Sequence, residues 1–209
     1  MSNLREVLIT VSSLQTSDRY LAKSYPDKDY DNNGLHELYE VPVYKVFLDG
    51  TDADGKPQRR EWTALRFMPY WNDPKMPEPG HEADTKGWVN SGIHFHKKQH
   101  VLHYNPHYTV RNTTSAFFGS IKVRKHFLIH AGPVSLANIG WGSAGCVEII
   151  GSFDEFRLHL IQMAGSSQTD ITAGMLEIVA ARKLLVQYDM ATPPNIKSAL
   201  RGEIMPRRS

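Results

Sequence analysis

One short segment of the chain combines residue types that together can perform nucleophilic chemistry. Cys146 is the only cysteine among the 209 residues, and His130 lies 16 residues before it. A cysteine attacks as its thiolate, so it needs a nearby base or cation that takes or balances its proton. His130 is the best-placed base. The pair therefore predicts a cysteine nucleophile activated by a histidine.

Glycines surround this cysteine. Five of the 15 glycines lie within residues 132–151, and one of them, Gly145, directly precedes Cys146. Such clustering indicates a backbone in left-handed conformations or one that approaches a ligand closely. We expect the N–H groups of Gly145 and Cys146, together with the hydroxyl of Ser143, to form a pocket for a developing oxyanion.

The order and spacing of these residues resemble a known catalytic motif. The string IHAG…SxGC, carried here by His130, Ser143, Gly145 and Cys146, resembles that of the L,D-transpeptidases, also called the YkuD-like domain. In that family the histidine ends a strand, a glycine-rich loop follows, and Ser-x-Gly-Cys leads into another strand. Asn138, inside the loop, also fits the family pattern.

The chain departs from that family at two positions. Ala131 follows the histidine where the family has glycine, and Glu148 stands two residues after the cysteine, where the family usually has an arginine in the active-site pocket. The resemblance implies that Asn138, Trp141 and Glu148 contact the substrate. For Trp141 a second interpretation is open, in which its ring only anchors the loop.

The resemblance implies chemistry on peptidoglycan. Family members attack the peptide bond after the third residue of a stem peptide, release the terminal D-alanine and hold the remainder as a thioester. An amine acceptor then gives a 3–3 cross-link or a D-amino-acid exchange, and water gives hydrolysis. We therefore expect an L,D-transpeptidase or L,D-carboxypeptidase that acts on stem tetrapeptides without a cofactor or metal. The alternative is a non-catalytic β-rich binding or structural module whose Cys146 is buried and inert.

The segments around this motif predict a mainly β fold. Strand patterns cover residues 4–11, 39–49 and 58–69, with a hairpin between the last two, and return within residues 100–130. Residues 70–90 carry prolines and glycines without periodicity, which predicts a long loop. We expect one β-sandwich-like catalytic domain over residues 1–192, with one or two C-terminal helices.

The C-terminal part carries the helix signals. Ser152 and Glu155 fit a capping box, and Gly165 fits a helix end. A second helix is predicted from about Asp170 to Ala181, followed by a strand over residues 183–190. The segment 193–209 begins with two prolines and is predicted to be a loose tail.

A run of histidines offers a second possible site. Its members lie two to four residues apart: His94, His96, His100, His103 and His107. A pair such as His94 and His96 shares one face of a strand, as in some metal sites. No carboxylate interleaves with the run, however, and two lysines do. Three other roles are open for these histidines: a polar face of a strand, one wall of the catalytic cleft, or a basic patch that binds an anionic partner.

Composition and the first residues limit the classes of partner and the biological setting that fit this chain. The net charge of +2 argues against nucleic acid as the main partner, and the single cysteine excludes an intramolecular disulfide. No apolar run approaches the ~20 residues needed to span a bilayer, and the first residues do not resemble a secretory signal. Three settings are open: recycling of wall fragments, a phage enzyme, or a toxin delivered by a contractile (type VI) secretion apparatus and opposed by an immunity protein. The absent signal and Glu148 favour the third.

Overall fold

The mainly β class with C-terminal helices is confirmed. The computed structural model describes residues 4–23, 35–69, 95–109, 118–192 and 198–206, so the expected loop at 70–90 lies outside the described residues. Within these ranges the strands are β1 (Val7–Lys23), β2 (Leu35–Thr51), β3 (Pro57–Leu65), β4 (His96–His100), β5 (His103–Asn105), β6 (Ser120–Arg124), β7 (Phe127–Ala131), β8 (Val147–Ile149), β9 (Leu184–Tyr188) and β10 (Ser198–Pro206). The helices are α1 (Phe153–Ala164) and α2 (Ile171–Ala180).

These strands form one mixed sheet that closes on itself. Its order is β4-β9-β1-β2-β3-β8-β7-β6-β5, with β10 added on β2. The two ends of this path, β4 and β5, are separated along the chain by only two residues. Val101 donates its N–H to Leu184 on β9, and Leu102 donates its N–H to Lys122 on β6. One continuous stretch of chain therefore joins both ends of the sheet.

The period-two alternation of the strands places their apolar side chains in one core. On β7 and β8, Ile129, Ala131, Val147 and Ile149 face this core, and the residues between them face the other side. Both helices pack against the same core. Their main contributions are the buried side chains of Phe153, Phe156, Leu160, Met175 and Ile178.

A second cluster lies where β1 and β2 run beyond the first core. The two strands pair from Leu8 and Asp49 to Lys23 and Leu38, with register shifts that bend β1. Buried residues of their far halves pack with the end of β3 and the residues after it: Tyr20, Ala22, Val41, Val43, Leu65 and Phe67. This packing places the end of β1 beside the loop that precedes Cys146, where Ala22 bridges to Gly140.

Both predicted helices form where the sequence places them. The Ser152 hydroxyl accepts the N–H of Glu155 at 3.2 Å, and Gly165 ends α1 with φ 71°. The Asp170 carboxylate caps α2 by accepting the N–H of Ala173 at 2.7 Å. Neither described helix is long and apolar enough to cross a membrane.

The C-terminal segment differs from expectation. Residues 193–209 are predicted to be a loose tail, but Ser198–Pro206 form β10, which pairs antiparallel with β2. Its pairing partners lie at the start of β2, from Leu35 to Tyr39. The two prolines at 193 and 194 suggested a break, and they do precede the strand. Polar and apolar residues do not alternate clearly in the segment SALRGEIMP, so the sequence gives no strand signal there. The segment forms a strand because the edge of β2 is available for pairing.

Candidate active site

The residues of the predicted motif lie on one strand and in the loop that leads into the parallel strand beside it. His130 is on β7 directly opposite Glu148 on β8, and Cys146 immediately precedes β8. β7 is also bonded to β6, with Ser120 opposite His130, and β8 to β3, with Leu65 opposite Glu148. The site therefore stands within the sheet, with a bonded strand on each side.

Backbone hydrogen bonds hold the loop between these strands. Parallel strands need a crossover connection, which here is the loop 132–146. Gly132 donates to Ile149 at 2.8 Å, and Ser143 donates to Phe67 at 3.1 Å. Gly140 accepts the N–H of Lys23 at 2.7 Å. The loop is thus attached to β8, to the segment after β3 and to β1.

Cys146 is partly exposed, and its thiol lies against the start of β7. The thiol donates to the carbonyl of His126 at a sulfur–oxygen distance of 4.0 Å. Burial raises the pKa of Cys146, the backbone N–H of Leu128 opposes this by stabilising the thiolate, and the nearby Glu148 carboxyl raises the pKa further. The resting group is therefore a neutral thiol at neutral pH.

His130 is buried and its tautomer is fixed. Its Nδ1 lies 2.8 Å from the carbonyl oxygen of Ala131. A carbonyl only accepts, so Nδ1 carries the proton and Nε2 keeps a free lone pair. Burial lowers the pKa of His130 to about 4, which the hydrogen bond to Ala131 opposes. His130 is therefore a neutral imidazole with one basic nitrogen.

The structure brings Cys146 and His130 to neighbouring strands but does not bond them. The register places Cys146 beside Leu128, two positions along β7 from His130. Among the described residues, no hydrogen bond joins the thiol to the imidazole. Transfer of the thiol proton to His130 thus requires that the thiol first leave the carbonyl of His126.

Ser143 and Gly145 shape the turn that presents Cys146. Ser143 is fully buried, and its hydroxyl donates to the carbonyl of Cys146 at 2.6 Å. This bond fixes the backbone at Cys146, and donation from the Ser143 hydroxyl to an oxyanion stays a prediction. Gly145 has φ 94°, a conformation that side chains disfavour. Within the described residues, the N–H groups of Gly145 and Cys146 have no acceptor, so they remain available to an oxyanion.

Glu148 is the most unusual group of the site. Its side chain is 7% exposed, and burial raises the pKa of its carboxyl to about 8. The carboxyl is close enough to Tyr20, Tyr108 and Cys146 to raise the pKa of each. Among the described residues it has no hydrogen-bond donor and no compensating cation. The sequence marked Glu148 as a departure from the family pattern and as an expected contact of the substrate, and that contact stays a prediction.

The other two predicted substrate-binding residues hold the loop. The Asn138 side-chain oxygen accepts the N–H and the hydroxyl of Ser135, at 3.0 and 3.1 Å. Trp141 is half-buried, with the Nζ of Lys23 5.0 Å from its ring centroid. These contacts favour an anchoring role for both residues, and contact with a substrate stays a prediction.

Two tyrosines of the site were not found by sequence reasoning. The ring of Tyr108 lies 5.4 Å from that of His130, centroid to centroid. Tyr20 comes from β1, and its hydroxyl lies against Gly140. Tyr108 stands at the end of the histidine run, which gave a weak signal for it. Tyr20 gave none, because it is 126 residues away from Cys146 along the chain.

The histidine run does not converge on a metal site in the described part of the chain. His96 pairs with Tyr188 on β9, whereas His103 pairs with Lys122 on β6. No three His, Cys, Asp or Glu side chains of the described ranges are grouped as metal ligands. His94 lies outside those ranges. His103 and His107 are exposed, and His100 is half-buried.

The chain matches no family model, no curated protein and no solved structure.

Proposed function

We propose that the chain is a cysteine acyltransferase of the L,D-transpeptidase or L,D-carboxypeptidase kind, acting on peptidoglycan stem tetrapeptides. The observation that carries the proposal is the pairing of two parallel strands, one bearing His130 and the other following Cys146. This is the arrangement that the motif resemblance predicts. The free N–H groups at Gly145 and Cys146 supply the third element of such a site, a pocket for an oxyanion.

The resting protonation states favour general-base catalysis over a preformed ion pair. Both the Cys146 thiol and the His130 imidazole are neutral because burial disfavours their charged forms. On substrate binding, His130 Nε2 takes the thiol proton as sulfur attacks the carbonyl carbon. The histidine then returns this proton to the amino group of the leaving D-alanine, and the acyl group remains on sulfur.

The second half of the reaction regenerates the thiol. An amine or a water molecule attacks the thioester carbonyl, and His130 removes a proton from the attacking group. The carbon–sulfur bond breaks, and the departing thiolate receives that proton. An amine forms a new amide and water forms a carboxylate, so the acceptor decides between transpeptidation and hydrolysis.

Mass spectrometry of purified muropeptides tests this proposal. Wild-type protein is incubated with disaccharide tetrapeptides, with and without a D-amino acid. Tripeptides indicate hydrolysis, whereas 3–3 dimers or exchanged D-amino acids indicate transpeptidation. Cys146→Ala should abolish all of these products. Absence of every product from folded wild-type protein contradicts the proposal.

The rival interpretation, a non-catalytic module, predicts a different thiol. A buried, inert cysteine reacts slowly with iodoacetamide, and adding a stem peptide does not change its alkylation rate. In the proposed enzyme, a tetrapeptide slows alkylation of Cys146 by occupying or acylating it. His130→Ala should abolish turnover-dependent protection of Cys146, because the base is lost. His103→Ala is the matched control and should keep this protection, because His103 is an exposed histidine on β5, outside the site.

A further inference from the structure

We infer that Glu148 forms a subsite for a primary ammonium group of a peptide, next to Cys146. The inference rests on the proposed function and names the charge of the group that the same site recognises. Two sources carry this chemistry: the side-chain amine of the diamino acid in the donor stem, and the amine of an acceptor peptide.

The Glu148 carboxyl stands beside the thiol and the imidazole of the site. Glu148 follows Cys146 by two residues and pairs with His130 on β7, and its charge raises the pKa of Cys146. A ligand group that reaches Glu148 therefore lies within the reach of an acyl group on Cys146.

Among the described residues, the Glu148 carboxyl has no hydrogen-bonding or charged partner. A buried carboxyl is normally paired with a cation or accepts several hydrogen bonds, because burial of an unpaired charge is very costly. Glu148 is nine-tenths buried, yet among the described residues nothing donates to it. The titratable groups that face it, Tyr20, Tyr108 and Cys146 with His130 opposite, bring no positive charge at neutral pH.

Gly132 packs closely on the strand that carries Glu148. A Cβ added at Gly132 would lie 2.9 Å from the Cβ of Glu148 and 2.8 Å from the carbonyl oxygen of Ile149. This close packing of the loop start on β8 fixes the backbone that holds the Glu148 side chain beside Cys146.

An ammonium group supplies what the carboxyl lacks. It donates up to three hydrogen bonds, and each oxygen of the ionised Glu148 carboxylate can accept one of them. At pH 7 Glu148 is mostly protonated, so it must release its proton to the solvent as the ammonium group binds. Binding should therefore be accompanied by proton release.

Calorimetry on the Cys146→Ala variant tests binding without turnover. The probes are Nα-acetyl-lysine amide, its Nε-acetylated form and the uncharged norleucine analogue. We expect the free amine to bind about tenfold or more tightly than either neutral probe, the effect of one hydrogen bond to a charged group. The heat should depend on the ionisation enthalpy of the buffer, because a proton is released.

The decisive comparison adds Glu148→Gln to this variant. The preference for the free amine and the proton release should both disappear, while Glu155→Gln, an exposed carboxyl on α1, should retain both. Glu148→Met serves as a second variant, and the unfolding midpoint of each confirms a folded protein. Equal binding of charged and neutral probes, or a preference that survives both Glu148 variants, overturns the inference.

Activity assays then separate the two sources and the two proposals. With wild-type protein, acetylation of the donor's side-chain amine should lower kcat/KM if the donor occupies the subsite. If the acceptor does, the ratio of cross-linked to hydrolysed product should fall in Glu148→Gln. If the amine binds at Glu148 but no substrate is turned over, the subsite is supported and the proposed function is contradicted. If substrate is turned over equally well with and without Glu148, the proposed function is supported and the subsite is contradicted.

Discussion

At the scale of single residues, the tautomer and the protonation state of His130 determine what this side chain can do. Nδ1 is bound to the carbonyl of Ala131, and burial keeps the ring neutral. A base that stays neutral down to low pH would let the proposed enzyme work in acid. The Cys146 thiol is also neutral, so the pair is not a thiolate–imidazolium ion pair before a substrate binds.

This protonation state predicts the acidic limb of the pH profile. In the Glu148→Gln background, where no carboxyl titrates near pH 8 beside the thiol, we expect kcat/KM for tetrapeptide hydrolysis to fall only as pH approaches about 4, the pKa that burial gives His130. An unperturbed histidine would lose activity near pH 6.5. His130→Ala should lower kcat/KM by about 10²–10⁴-fold, the usual contribution of a positioned base. The control His103→Ala should leave the profile unchanged, and a limb centred near pH 6.5 would contradict the neutral-pair mechanism.

Gly145 provides a second prediction at this scale. Gly145→Ala places a side chain at φ 94° directly before the nucleophile, a strain on the order of 1–3 kcal/mol. We expect both lower stability and a lower kcat, since the N–H groups at 145 and 146 must move. Gly55→Ala is the matched control, because Gly55 has φ 79° in a turn where an added Cβ meets nothing within 4 Å. Urea unfolding and muropeptide assays compare the two. An equal loss of kcat in both variants would assign the effect to stability alone.

At the scale of elements, the site was predicted better than its surroundings. The motif placed His130 at a strand end and Cys146 before a strand, and both placements are confirmed. Local signals such as the cap of α1 were also sufficient, because caps depend on neighbouring residues. The closure of the sheet and the approach of Tyr20 to Glu148 depend on pairing between distant segments, which no local pattern encodes.

The helices are expected to support the core without entering the chemistry. Ser152→Ala removes the hydroxyl that accepts the N–H of Glu155 and should lower the free energy of unfolding by about 1 kcal/mol. α1 packs against the core side of the sheet, whereas Glu148 and His130 face the other side, so kcat should not change. Chemical denaturation and the muropeptide assay check both parts. A lower kcat in a variant that remains fully folded would show that α1 acts on the site.

At the scale of the whole molecule, Glu148 makes stability depend on pH. Burial raises the pKa of Glu148 to about 8 in the folded chain, from an ordinary value of 4.5. The folded state therefore binds this proton more tightly than the unfolded state does. The resulting contribution to stability is complete below pH 4.5 and is lost as pH rises through about 8.

The comparison with Glu148→Gln isolates this effect. The amide does not titrate, so the difference in unfolding free energy between the two proteins should shift in favour of the variant from pH 5 to pH 8. Urea midpoints measured across this range provide the check. A difference that is constant with pH would mean that Glu148 is not protonated in the folded protein.

The setting of the activity is a further question for the whole molecule. We propose a toxin delivered to a rival's periplasm, where stem peptides are exposed. Expression in a bacterial cytoplasm should be harmless, while expression behind an export leader should cause swelling or lysis that Cys146→Ala abolishes. Harmlessness of the active protein in both compartments would contradict the toxin role and favour the recycling of wall fragments.

The parallel pairing of β1 with β9 affects how the chain is made. Val7 pairs with Leu184, so β1 lies between β2 and a strand whose paired residues come 177 positions later in the chain. Closing so long a loop is slow, and it must await the emergence of β9 from the ribosome. Until then the edge of β1 that pairs with β9 is open to other chains. The chain is therefore exposed to mispairing at this edge until residues 184–188 have been made.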